Sequence, residues 1–105
     1  MAKTSKPLSP KTRLAHSLEQ LMLIPGLCGH EGRVRRHIAR ELKALGLEQW
    51  SDRLGNLIAT IEGVKGAPEI MLYAHMDQLG LIVRKIESNG LIRVERVGGQ
   101  VVDRL

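Results

Sequence analysis

The 105-residue chain contains one cysteine, Cys28, no phenylalanine, and only Trp50 and Tyr73 as aromatic rings. A single cysteine excludes an intrachain disulfide and any cysteine-rich zinc motif, and a reducing cytoplasm is the simplest setting for it. The shortage of aromatic side chains leaves little on which nucleic-acid bases could stack. No apolar run approaches the roughly twenty residues that a membrane-spanning helix requires, so no membrane partner is expected. Residues 1–13 are basic and polar and lack the apolar segment of a secretory signal; a flexible tail is expected there. No internal repeat or low-complexity tract is evident.

What is present is the composition of an ordinary soluble α/β protein, 43% hydrophobic and 26% charged. The length allows one modest core. The formal charge of +5 is concentrated in part on Arg33, Arg35, Arg36, Arg40 and Lys43 of one expected helix. A basic helix can track phosphates, but no nucleic-acid motif accompanies this one, and a solvated helix face is the expectation. His16 and His37 fall among helical polar positions and are expected to be solvated too.

Hydrophobic spacing sets the element order. Ser9 followed by Pro10 makes an N-cap and first helical position, and Leu14, Leu18, Leu21 and Met22 recur at helical intervals until Pro25-Gly26. A second helix is expected over about residues 30–45, with Val34, Ile38, Leu42 and Leu45 as its buried seam and Gly46 just beyond its end. His30 and Glu31 open it, where a carboxylate suits the positive end of the helix dipole. Short strands are expected near residues 47–50, 57–62 and 69–74, with a hairpin loop at 63–68. Residues 81–86 and 91–97 flank Ser88-Asn89-Gly90, a hairpin signal. Gly98-Gly99 reads as a turn, since no Walker-type lysine follows.

The most informative stretch is Glu69-Ile70-Met71-Leu72-Tyr73-Ala74-His75-Met76-Asp77-Gln78-Leu79-Gly80. Five apolar residues from Ile70 to Ala74 read as a strand covered on both faces. His75 and Asp77 would share a face if the extended conformation persists, because side chains alternate along a strand. An imidazole that binds a metal through one ring nitrogen commonly donates from the other to a carboxylate, which fixes its tautomer. His-x-Asp supplies both parts within three residues.

Ala74-His75-Met76-Asp77-Gln78-Leu79-Gly80 resembles the Ala-His-Met-Asp-Glu-hydrophobic-Gly signature of the M42 family of metallo-aminopeptidases. Three more segments match in order. Ile24-Pro25-Gly26-Leu27-Cys28-Gly29-His30-Glu31 is similar to the family's Pro-Gly-x-Ser-Gly-His-Glu segment, and Asp52-Arg53-Leu54-Gly55-Asn56-Leu57 to its Asp-x-x-Gly-Asn-Leu loop. Gly90 to Val94, leading to Gly98-Gly99, is similar to its following hairpin. The resemblance implies a homo-oligomeric aminopeptidase with two divalent metal ions, zinc or cobalt, acting on peptide substrates through a metal-activated water. His75 maps onto a metal ligand and Asp77 onto the carboxylate that orients it. Gln78, Asp52 and Asn56 are expected near the site without carrying the chemistry.

The same resemblance implies an α/β fold that is incomplete: residues 14–77 would form the N-terminal part of a zinc-peptidase domain, and residues 78–105 the start of an inserted β-rich, PDZ-like assembly domain. The general base and remaining ligands would then lie beyond residue 105, and these residues alone would bind no stoichiometric metal and be inactive. Two positions depart from the family pattern. Gln78 stands where Glu is usual, and Cys28 replaces a serine, where a small buried residue is expected. The alternative function is a small noncatalytic binding or assembly module, which takes the length and basic charge at face value.

Overall fold

A computed structural model describes residues 9–99 of the chain. Helix α1 spans Pro10–Met22 and α2 spans Gly32–Ala44; strands β1 (Gln49–Ser51), β2 (Leu57–Ala59), β3 (Gly80–Ile86) and β4 (Ile92–Val97) follow. The tail expected over residues 1–13 is contradicted at Pro10 to Arg13, which are helical; residues 1–8 lie outside the described residues. The reason is local. Ser9 is extended and its hydroxyl accepts from the Thr12 amide at 3.2 Å, while Pro10 occupies a position whose missing N–H is not needed.

Helix α2 begins at Gly32 rather than residue 30. The Glu31 carboxylate turns back to accept from the Gly29 amide at 2.7 Å, so the loop before the helix closes on itself. At the other end the Gly46 amide donates to Lys43 and the Leu47 amide to Leu42, a wrapping turn that satisfies the last carbonyls. Of the expected seam, Val34 is buried at 4% exposure, Ile38 and Leu42 are half-buried, and Leu45 is exposed.

Two separate antiparallel ribbons account for the strands, β1 with β2 and β3 with β4. In the first, Trp50 lies opposite Ile58. The second turns through Ser88-Asn89-Gly90, with the Glu87 amide donating to Leu91 at 2.8 Å and the Asn89 side chain accepting from the Leu91 amide at 3.1 Å. An irregularity in register between Val83 and Lys85 bends this ribbon. Exposed ion pairs, Arg84 with Glu95 and Arg93 with Glu87, cross between its strands or close its turn.

The strand expected over residues 69–74 does not form. Residues 68–77 carry no regular secondary structure, and Leu72 and Tyr73 are 91% and 90% exposed. A strand exists through hydrogen bonds to a neighbour, and none of the described strands lies beside this one. The 63–68 loop likewise contains a turn, closed by the Ala67 amide on Val64, without a hairpin. The architecture is a small mixed helix and sheet arrangement, consistent with the α/β class.

One long-range junction organises these pieces. The Gln78 amide donates to the Gly26 carbonyl at 2.7 Å, and Leu27 and Gln78 form an isolated parallel bridge. Behind it, Gly26 lies against Val34 so closely that a Cβ would stand 2.6 Å from Val34 Cγ2. Valine is stiff about its χ1 angle and has little room to yield. Gly26→Ala is therefore expected to destabilise the protein by about 1–3 kcal/mol. Val34→Ala removes the obstructing methyl group, so the double variant should lose less than the sum of the single losses, as read from urea-unfolding midpoints.

Candidate functional site

The junction carries the segment on which the sequence places the chemistry. Although residues 75–77 are not in a strand, the structure brings the two predicted side chains together: His75 Nδ1 lies 3.0 Å from Asp77 Oδ1. The same nitrogen is 3.1 Å from the Asp77 carbonyl oxygen. Both neighbours are acceptors, so Nδ1 donates, and in the neutral imidazole this leaves the lone pair on Nε2. The His75 side chain is 85% exposed and that of Asp77 32%, so the imidazole projects outward from a half-buried carboxylate.

That is the donor chemistry a transition-metal site needs from one of its ligands: a neutral imidazole of fixed tautomer, oriented by a carboxylate. Zinc and cobalt both accept such a nitrogen. Among the described residues no group of three or more His, Cys, Asp or Glu converges to hold a metal. His75 fits one coordination position, and a catalytic zinc ordinarily takes three protein ligands.

Gln78 is half-buried and its side chain reaches the C-terminal end of α1. Its carboxamide nitrogen donates toward the carbonyls of Leu21 at 3.3 Å and Met22 at 3.5 Å. Sequence reasoning placed Gln78 near the site, but not these partners 57 and 56 residues away.

Asp52 and Asn56 build a closed loop between β1 and β2. Asp52 Oδ1 accepts from the backbone amides of Leu54 and Asn56, both at 2.9 Å, and Oδ2 accepts from Asn56 Nδ2 at 2.7 Å. Gly55 sits at φ 89°, a conformation that favours glycine, and its carbonyl accepts from Arg35 Nη1 at 3.0 Å. Arg35 is thus not part of the solvated basic face: it is half-buried and ties α2 to this loop. The contact spans 20 residues and leaves no periodic signal in the sequence. No described hydrogen bond links the Asp52 loop to His75 or Asp77.

Three of the other four basic side chains, Arg33, Arg36 and Arg40, line an open groove with Ile24 and Ala39. His30 is exposed, with Nδ1 3.4 Å from the Cys28 carbonyl. Cys28 is exposed too, against the expectation of burial, because its loop lies on the surface before α2. No described helix is long and apolar enough to cross a membrane.

Comparison with known proteins places this geometry in context. Residues 55–104 match the family model described as M42 glutamyl aminopeptidase. The chain is 42% identical over 84 residues to the SgcX protein of Escherichia coli strain K12, which covers 79% of this chain and 22% of that protein. It is 36% identical over 89 residues to the lysyl aminopeptidase of Pyrococcus furiosus, covering 84% and 25% respectively. It is also 36% identical over 87 residues to the glutamyl aminopeptidase of Lactococcus lactis subsp. cremoris, covering 82% and 24%. The chain therefore spans about a quarter of the length of these relatives.

The Asp52 loop has a defined response to acid. Donation from the Asn56 side chain holds the Asp52 carboxyl below its ordinary value; slight desolvation opposes this, and the amides of Asn56, Leu54 and Gly55 reinforce it. A carboxyl whose folded pKa is depressed stabilises the fold fully above the unfolded value of about 3.9 and loses that contribution as pH falls through the lower folded value. The amide proton shifts of Leu54 and Asn56 should hold steady down to that window and then move together. Asp52→Ala should show the released positions at every pH.

Proposed function

Because the chain belongs to the M42 family of aminopeptidases, we propose that it is part of a metal-dependent enzyme that removes N-terminal residues from peptides. The observation that carries this reading is the His75–Asp77 pair, with Nδ1 committed to the carboxylate and Nε2 free. His75 would hold one metal ion, and Asp77 would keep its ring turned and its Nδ1 protonated. A bound pair of divalent ions, zinc or cobalt, would polarise the scissile carbonyl and lower the pKa of a water. The other ligands and the general base would come from the rest of a protein about three and a half times as long as this chain.

The exposed run from Ile70 to Tyr73 supports the same reading. Four consecutive large side chains, each at least 84% exposed, would be costly to leave in water, and a parallel sheet that buries both faces of this run would cover them. In this proposal residues 14–77 belong to the peptidase domain and the β3–β4 ribbon begins an inserted β-rich domain through which subunits assemble. These residues alone would then lack activity.

The test uses the full-length gene product. It should release N-terminal residues from free peptides but not from N-acetylated ones, and a chelator should stop the release. His75→Ala should abolish activity, and Asp77→Asn should lower activity or metal affinity by about 10–100-fold. Chelator-insensitive cleavage, or full activity in His75→Ala, would overturn the proposal.

A further inference from the structure

The carboxamide of Gln78 is not used by the chemistry proposed above, yet it is half-buried and committed to two partners. Its Nε2 donates between the Leu21 and Met22 carbonyls in the last turn of α1, at 3.3 and 3.5 Å, where helical amides run out; the Leu21 carbonyl also accepts from the Ile24 amide. Its backbone amide donates to Gly26 at 2.7 Å. One residue therefore holds both the end of α1 and the loop that follows it, and that residue directly follows Asp77.

From this geometry we infer that Gln78 is a positioning residue: its side-chain amide fastens the His75–Asp77 turn to the C-terminal end of α1 and thereby fixes the direction of His75 Nε2. Fastening requires a donor. The two carbonyls are acceptors at the negative end of a helix dipole, so in this chain a carboxylate at position 78 would lose both bonds and be repelled, and relatives that carry the family's usual Glu here must hold the turn by other contacts. An apolar side chain of equal length would fill the space without tying it. The residue acts only through the backbone it shares with Asp77 and makes no described contact with His75.

This inference rests on the reading of His75 as a metal donor, but its structural part can be measured without metal. The experiment compares the metal-free full-length gene product with its Gln78→Glu and Gln78→Met variants, each checked for folding by circular dichroism. Two signals are followed: hydrogen exchange at the residue 78 backbone amide, and the ring-nitrogen NMR shifts of His75 at alkaline pH, where free histidine is neutral. The wild type should show the Nδ1-protonated tautomer. Both variants should exchange about tenfold faster at residue 78 and show the ring averaging between tautomers. Zinc titration of the same samples should give an affinity weaker in both variants by about tenfold.

Unchanged exchange in Gln78→Met would overturn the inference, because the carboxamide would then fasten nothing. Faster exchange with an unchanged His75 tautomer would also overturn it, by reducing Gln78 to an ordinary helix cap. If a variant fails to fold, the other carries the comparison, since one tests charge and the other the loss of a donor. A wild type with the expected tautomer but no peptidase activity would count against the proposed function and leave the positioning role standing.

Discussion

The close approach of residues 26–28 to residues 76–80 is the constraint on which the rest of the arrangement depends. At this crossing two glycines leave room for their neighbours: Gly26 lies against Val34 of α2 and near the Met76 carbonyl, and a Cβ on Gly80 would fall on Leu27 Cδ2. The crossing is pinned by the Gln78 amide on the Gly26 carbonyl. It joins the loop between α1 and α2 to the segment that leads into the β3–β4 ribbon. His75 and Asp77 lie immediately before it, so their placement is inherited from the packing of small residues rather than from a regular strand.

The molecule divides its polar interactions by range. The Ser9 cap, the Glu31 loop, the Asp52 loop and the turn at Asn89 are each closed by side chains within four residues of the groups they satisfy. They shape the chain locally and need no tertiary support. Arg35 on Gly55 and Gln78 on Leu21 are of the other kind, joining distant elements through one side-chain donor on a backbone carbonyl. Both places of functional interest in the sequence, the Asp52 loop and the His75–Asp77 turn, are held by interactions of both types.

What could be read from the sequence follows the same division. Ser9-Pro10, Gly46, Ser88-Asn89-Gly90 and the Asp52 to Asn56 loop are encoded by residue types whose conformational preference is local, and the structure has each element where those residues put it. The pairing of His75 with Asp77 was legible for the same reason, since one residue separates the partners. The strand at 69–74 was not, because an apolar run states a need for burial without naming the neighbour that meets it. Arg35 read as one cation among five on a helix; only the fold distinguishes the one that reaches a carbonyl. Gln78 was noticed as a departure from a pattern, whereas its bonds to α1 arise from a crossing that no spacing rule announces.

The separation of Gln78 from its partners in α1 also bears on the order in which the chain assembles. Closing a loop of more than fifty residues carries an entropic cost that a turn of four residues does not, and the cost grows with the logarithm of the span. The caps and the β3–β4 ribbon can therefore form early, from contacts close in sequence, whereas the crossing waits for both ends of the chain segment to be in place. The imidazole would then acquire its fixed orientation among the last events of folding, when its carboxylate partner is already at hand but its backbone frame has only just closed.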